Sequence, residues 1–433
     1  MRFWILWLSF ISIMPPVSQL RASLNRCSDV ITGLDGDLVW QTTDRVSDLK
    51  AAFGSKILVT YDGAFIKGIN TQDGRVRWDF RVSEYFLPTQ APILTRDGKR
   101  LYLIGVKKIV ELSAETGDFI ASYSVPFIQR PLQHDIVMGL TFPHRNNMGG
   151  SHQKMMNELL EQASTDRSFH LLDDWFVILF EEGIRFLNRK GGAWKEKALA
   201  GFIGAHHSGG MEPHLFADRD QLMTSFPGAK NKNAKLEAFR FNYPEATFVR
   251  EWSFELNHGI EKTDYQFASN ANQVFAVTYV PTSKDDGIFS KRLIALDRNL
   301  GELIWETPLA SLTWQNHQLM AKDSVLIYVL GDQVMGVEAL TGKQIWAFEI
   351  PETSTVKHQI YIQSFDDNRI IAQRGDRAYL LKATDGKLDS DLKLIAPGGK
   401  DALFTLYPLD SRHLLIRASE GQAKDRLSLV RIR

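Results

Sequence analysis

The chain is nearly devoid of cysteine: Cys27 is the only one in 433 residues. One thiol excludes an intramolecular disulfide, a Cys-based zinc site and a CxxC redox pair. Net charge is also missing, because 51 Lys and Arg balance 51 Asp and Glu. A neutral chain has no long-range attraction to nucleic acid or anionic lipid, and AKNKNAK (229–235) reads as a solvated basic loop. Nucleic-acid binding is therefore not expected. No GxSxG nucleophile elbow is present, and the glycine pairs 209–210 and 398–399 precede no helical pattern that would make a phosphate cradle. Long hydrophobic runs are absent except at the start, where Phe3 to Met14 is apolar and Pro15 and Pro16 break it. That run is short for a bilayer span and fits the h-region of a secretory signal, residues 1–22, with a cut after Ala22. An uncleaved anchor is the alternative. The LNRC flank of Cys27 lacks the small residues that precede a lipid-modified cysteine. The mature chain is expected to be exported, periplasmic or envelope-associated.

What the chain has in quantity is a repeat. GDLVW ends at Trp40, GRVRW at Trp78, GELIW at Trp305 and GKQIW at Trp346. Weaker copies are ETGDFIASY (115–123), RKGGAWKEKA (189–198), ATFVREW ending at Trp252, and TDGKLDSDL (384–392). Equivalent positions fall near 40, 78, 121, 195, 252, 305, 346 and 390. A period of about 40 residues with several short strands per unit marks a β-propeller. Within a unit, apolar runs such as KILVTYDG (56–63) and SVLIYVLG (324–331) precede a turn of Asp, Asn, Thr and Gly, and the next strand carries the Trp. Such turns supply the φ > 0 position of a tight hairpin. A large flat side chain at one place on the outer strand suits the wedge-shaped gap between blades, so the tryptophans read as core wedges rather than a cofactor floor.

The two ends complement each other. Residues 412–433 contain the middle strands of a unit and stop before its Trp strand, whereas GLDGDLVWQTT (33–43) is a Trp strand with nothing before it. The N-terminal strand is therefore expected to complete the last blade and to remove two exposed edges. The expectation is an all-β, eight-bladed β-propeller in one domain, residues 23–433, with seven blades left open because the third unit is irregular. That unit carries an insertion, 128–172, in which SHQKMMNELLEQAS reads as a short helix capped by Ser151. Met155, Met156, Leu159, Leu160 and Ala163 form its apolar stripe.

The unit LxALDxxxGxxxW, present as LIALDRNLGELIW (293–305) and VMGVEALTGKQIW (334–346), resembles the pyrroloquinoline-quinone (PQQ) type propeller repeat. The resemblance extends over nearly all of the mature chain and is strong in about four units. It has two branches. Quinoprotein dehydrogenases hold PQQ and calcium in the central funnel above a pair of adjacent cysteines. One cysteine cannot make that pair, and no convincing Glu/Asn/Asp metal set is legible. The other branch, similar to the BamB-type outer-membrane-protein assembly factors, implies a non-catalytic exported scaffold that docks envelope proteins, among them the membrane β-barrel assembly machinery. The second branch fits better: a monomeric propeller, no enzyme, no cofactor. A divergent quinoprotein dehydrogenase is the alternative.

Two sets of residues are candidates for contact. In the helix, Met155, Met156 and Leu159 would present an apolar face to a partner, or pack on the propeller rim. Trp314, in SLTWQNHQ, lies outside the Trp register on an expected connecting loop. In GAHHSGGMEPH (204–214), His206, His207, Met211 and His214 combine imidazole and thioether, ligands suited to copper or zinc. HRNNMGGSHQKMM (144–156) adds His144, Met148 and His152. No spacing here matches a rigid metal motif, and an ordinary Gly-rich loop is the competing reading.

Overall fold

The strand Val325–Leu330, VLIYVL, shows why the units are apolar throughout. Successive side chains of a strand point to opposite faces. Val325, Ile327 and Val329 enter one core cluster with Ile362, Ile370 and Leu381, while Leu326 and Tyr328 enter another with Phe275, Leu293 and Ala295. Both faces of this strand are covered by neighbouring sheets, so no polar face remains to alternate. In the computed structural model the described residues are 30–33, 36–44, 46, 48–51, 55–62, 65–81, 92–95, 97–104, 108–125, 168–172, 174–180, 183–191, 193–198, 221–226, 235–242, 247–256, 267–281, 289–309, 318–351, 359–396, 402–419 and 425–432.

These residues form eight antiparallel sheets. Sheet 1 runs from strand Asp48–Ala51 to Val76–Arg81, sheet 2 from Ile93–Leu94 to Phe119–Ser124, and sheet 3 from Ser168–Leu172 to Lys195–Ala198. Sheet 4 runs from Gln221–Phe226 to Thr247–Glu255, sheet 5 from Phe267–Ser269 to Leu303–Leu309, and sheet 6 from Leu319–Lys322 to Gln344–Glu349. Sheet 7 runs from Ile360–Ser364 to Leu388–Leu394, and sheet 8 from Leu403–Asp410 to Asp425–Ile432. Each sheet packs on the next. Shared apolar clusters join sheets 1 and 2, 2 and 3, 4 and 5, 5 and 6, 6 and 7, and 7 and 8. Between sheets 3 and 4 the contact is aromatic, with Phe241 edge-on to Trp175 and Phe186 at 5.3 and 5.9 Å. Trp40 and Leu427 of sheet 8 then pack with Leu49, Leu58 and Ile69 of sheet 1, which closes the cycle.

The closure uses the N-terminal strand, as expected. Gly36–Asp44 pairs along Asp425–Ile432, from Gly36 opposite Ile432 to Asp44 opposite Asp425. Asp44 also holds Lys67 of sheet 1 at 2.8 Å. A second closing strand was not foreseen: Ile31–Thr32 pairs with Leu394 and Lys393 as a fifth strand of sheet 7. Val30 and Ile31 are buried there in the cluster shared by sheets 7 and 8.

The expected insertion 128–172 requires a correction at its C-terminal end, because Ser168–Leu172 is the first strand of sheet 3. Its backbone pairs with Trp175–Phe180, so this part belongs to the repeat. The expected helix with Ser151, Leu160 and Ala163 lies outside the described residues, as do the first 22 residues and Cys27. Among the described residues no helix is long and apolar enough to cross a membrane.

The recurrent Trp and Gly are explained by what they touch across sheet boundaries. Trp40 Nε1 donates to Thr71 O at 2.8 Å, Trp78 to Ala114 O at 3.0 Å, and Trp252 to Arg298 O at 2.9 Å. Trp305 donates to Ala339 O at 2.8 Å and Trp346 to Ala383 O at 3.1 Å. Every acceptor lies in the tight turn of the following sheet, three residues before that turn's glycine. The indole ring covers the glycine itself: a Cβ on Gly342, where φ is +70°, would stand 2.7 Å from the Trp305 ring. Gly74, Gly117, Gly301 and Gly386 meet Trp40, Trp78, Trp252 and Trp346 in the same way. Just before each of these tryptophans the ladder slips by one residue, leaving Val39, Arg77, Glu251, Ile304 or Ile345 unpaired. The bulge re-aims the indole toward the neighbour and twists the outer edge. The same slip occurs before Ala121 and Ser390, so those weak copies keep the backbone register without the ring.

Replacing Trp346 by alanine is expected to lower unfolding stability by about 3–5 kcal/mol. Trp346→Phe, which keeps an aromatic ring but strips the buried Ala383 carbonyl of its donor, should cost about 1–3 kcal/mol. Urea melts check both, and Gly342→Ala should also destabilise, since it adds backbone strain to the clash with Trp305.

Candidate partner-binding surface

The alternation of strands gives the ring two unlike faces. Hairpins joining the first and second strands of a sheet, and the Gly turns joining the third and fourth, open on one side, here the turn face. Hairpins joining the second and third strands open on the other side. Crossings from one sheet to the next also leave and return there, and this is the crossing face. In sheet 4 the first described strand, Gln221–Phe226, stands second in this order, so the chain enters it on the turn side.

The turn face is tightly built. In the turn Asp297–Gly301, Asp297 Oδ1 accepts from the Asn299 and Leu300 amides at 2.8 Å each, and Gly301 N donates to Asp297 O at 2.8 Å. Asn70 plays the same part for Gln72 at 2.9 Å. An Asp or Asn opening such a turn replaces backbone partners with its own oxygen. Buried polar side chains then tie sheet to sheet. Arg298, 6% exposed, donates from Nε to Gln221 Oε1 at 2.8 Å and from Nη1 to Asn270 O at 3.0 Å. Gln273 Nε2 reaches Ala339 O at 2.8 Å. On the crossing side, Arg374 is held by Ile350 O at 3.2 Å and by Asp332 at 2.9 Å. Each charge is removed from water only where hydrogen bonds replace the solvent.

Sheets 2 and 3 meet through a different set. Tyr123 Oη donates to Glu111 Oε2 at 2.6 Å, and Arg189 Nη1 donates to Tyr102 Oη at 2.5 Å. Arg189 Nη2 lies 2.7 Å from Asp174, which Lys190 meets at 2.5 Å. Burial pushes the Tyr123 phenol well above its usual value, and its bond to the Glu111 carboxylate pushes it further. Burial also raises Tyr102. For Arg189, burial disfavours the charge, but Tyr102, Glu111 and Asp174 outweigh it and hold the pKa above the ordinary value. The Lys190 hydrogen bond, partly offset by burial, and the Arg189 charge keep the Asp174 carboxyl below the usual range. This joint has no indole from the outer strand of sheet 2, because Ala121 stands at the position that the tryptophans hold elsewhere. Trp194, which the repeat alignment did not single out, points the other way and donates to Ser124 O of sheet 2 at 2.5 Å.

An apolar arc also lies on the outer rim of two adjacent sheets. Leu300, Leu303 and Ile304 of sheet 5 and Leu340 and Ile345 of sheet 6 are exposed. Two of them, Ile304 and Ile345, are the bulged residues.

The residues singled out from sequence are placed as follows. Trp40, Trp78, Trp252 and Trp346 are buried and Trp305 half-buried, all at joints between sheets. Trp175, outside the register, packs against Phe186 and Phe241 in the core. Met155, Met156, Leu159, His206, His207, His214 and Trp314 lie outside the described residues. The strands flanking them do not: Phe119–Ser124 and Ser168–Leu172, and Leu303–Leu309 and Leu319–Lys322, meet the segments of Met155, Met156, Leu159 and Trp314 at the crossing face. The histidine segment instead leaves Lys195–Ala198 at the crossing face and reaches Gln221–Phe226 at the turn face, where Gln221 meets Arg298. Among the described residues no group of three or more His, Cys, Asp or Glu side chains could hold a metal ion. With the repeat tryptophans occupied at the joints and one cysteine in the chain, the described residues do not fit the quinone and calcium set of the dehydrogenases.

The family profile described as outer membrane protein assembly factor BamB matches residues 250–423, from the outer strand of sheet 4 to sheet 8. No curated protein matches the chain. Among solved structures, BamB from Moraxella catarrhalis is similar at 14% identity over 93% of this chain and 96% of that one, with a TM-score of 0.48. Quinohemoprotein alcohol dehydrogenase from Comamonas testosteroni is similar at 10% identity over 93% and 77%, with a TM-score of 0.51. The dihydro-heme d1 dehydrogenase NirN is similar at 11% identity over 92% and 78%, with a TM-score of 0.50. At such identities the likeness is one of fold. The chain is a β-propeller, with PQQ-like repeats over residues 250–423. Within that class it resembles the BamB-type assembly factors, through the stretch that the profile matches.

A pH-dependent prediction follows from Asp174. Its folded-state pKa lies below its unfolded value of about 3.9, so its ion pairs stabilise the fold above that pH and lose their effect as pH falls through the folded value. Asp174→Asn should therefore be less stable than the parent at pH 7, and the gap should close toward pH 3, as read from melts across that range.

Proposed function

We propose that this chain is a non-catalytic exported propeller that holds protein partners in the cell envelope, and that the process it serves is outer-membrane protein assembly. The observation that carries the reading is the BamB-family match over residues 250–423. The two-faced architecture supports it. Hydrogen-bonded turns and docked indoles make one face rigid, while the segments bearing Met155, Met156, Leu159 and Trp314 start and end on the other, and the segment bearing His206, His207 and His214 starts there. A rigid disc with varied loops on one side suits docking of other chains without any need for catalytic groups. The partner surface is assigned to the crossing face. A dehydrogenase reading has fold likeness behind it, but the described residues offer no set to hold its quinone.

Site-specific photo-cross-linking in cells tests this. Probes at the exposed Arg81 and Pro351 report on the crossing face, and probes at the exposed Gln72 and Asp385 on the turn face. Envelope proteins, barrel-assembly components among them, should be captured from the first pair and not from the second. Capture from the turn face alone, or stoichiometric PQQ in the purified protein, would overturn the reading. So would stoichiometric copper lost on replacing His206, His207 and His214, with no partner captured.

A further inference from the structure

We propose that the joint between sheets 2 and 3 opens before the indole-docked joints, because an ionic latch stands there in place of a docked indole. At five other joints a tryptophan covers the turn glycine of the next sheet and donates to its carbonyl. That combination joins large apolar burial to a hydrogen bond, and neither component titrates. Between sheets 2 and 3 the residue at the Trp position is Ala121.

The gap is bridged instead by a side chain from the turn. Arg189 stands second in its turn, as Ala114 and Ala339 do in theirs, and it reaches back across the joint. It meets Tyr102 Oη and approaches Glu111 Oε1 at 3.9 Å, while Glu111 is held by Tyr123 on its own sheet. Glu111 is 4% exposed. Removing such charges from water cancels much of their mutual attraction, so a latch of this kind fixes geometry more than it adds stability. The remaining contacts across the joint place Phe176 edge-on to Tyr102 at 5.1 Å and to Tyr123 at 4.9 Å. Both phenols depend on the same latch for their orientation. Release of Arg189 thus frees the charged group and the aromatic contacts together, which makes opening a cooperative local event.

Hydrogen exchange followed by mass spectrometry on the full chain tests the proposal. In the unaltered protein, Arg100–Ile104, Lys108–Ser113 and Trp175–Phe180 should exchange at least about tenfold faster than Val325–Leu330 and Arg369–Arg374, which are middle strands of indole-docked sheets. Glu111→Gln should speed exchange on both sides of the 2/3 joint by a further five- to twentyfold while leaving Val325–Leu330 unchanged. Should that variant not fold, Tyr123→Phe removes only the hydroxyl and should produce the same local acceleration on a smaller scale. Equal protection in all sheets, fastest exchange at an indole-docked joint, or a variant effect spread uniformly round the ring would overturn it.

Discussion

The fold depends on one contact, made several times: an indole on the outer strand of one sheet laid over the turn glycine of the next. A sheet of three or four strands cannot bury both its faces alone, so each unit is stable only against its neighbours. The indole supplies the apolar area, its N–H satisfies a turn carbonyl, and the glycine allows both to approach. The strand before the Trp supports this from within. Gly68 and Gly336 lie under Trp78 and Trp346 in their own sheets, where a Cβ would come within 2.2 and 2.1 Å of the ring. Ala238 and Ala295 stand opposite Trp252 and Trp305 in the same register. These four tryptophans are thus each seated on a small residue of their own sheet and a glycine of the next, whereas Trp40 stands opposite Leu429.

Much of this was legible in the sequence, though with its direction hidden. GELIW and GKQIW place Gly and Trp four residues apart, which invites the reading that they serve each other. Trp305 in fact docks onto Gly342, and Gly301 lies under Trp252. The informative spacing is the long one, from each Trp to a turn glycine about one unit later, and it can be read only once neighbouring sheets are known to touch. Ring closure by GDLVW was legible because a Trp strand without a preceding unit has one place to go. The pairing of Ile31–Thr32 with sheet 7 was not, since two residues carry no pattern. The weak copies at 121 and 390 were found through their turns, and they kept the bulge although the indole is gone.

The candidate site divides in the same way. Sequence could mark His206, His207, His214, Met155, Met156, Leu159 and Trp314 as unlike the repeat, because the repeat supplies a background against which a departure stands out. It could not show that the segments bearing Met155, Met156, Leu159 and Trp314 start and end on one face while the histidine segment starts on that face and ends on the other, which follows from strand alternation. The buried set of Arg298, Gln221, Gln273 and Arg374 went unnoticed, because polar residues at such positions look like ordinary surface until a neighbouring backbone carbonyl is seen beside them. The latch of Arg189, Glu111 and Tyr123 escaped for the same reason, and it occupies a joint that the repeat leaves without its indole.

The most direct test of this account is a double-mutant cycle between Trp78 and Gly117, residues of adjacent sheets that lie far apart in sequence. Trp78→Leu and Gly117→Ala are each measured alone and together by chemical denaturation. If the ring is held by indoles seated on turn glycines, removing the indole relieves most of the clash that the new Cβ causes, and the two effects should fall short of additivity by about 1–2 kcal/mol. Additivity within about 0.5 kcal/mol would mean that the two residues do not act on each other, and would contradict the account.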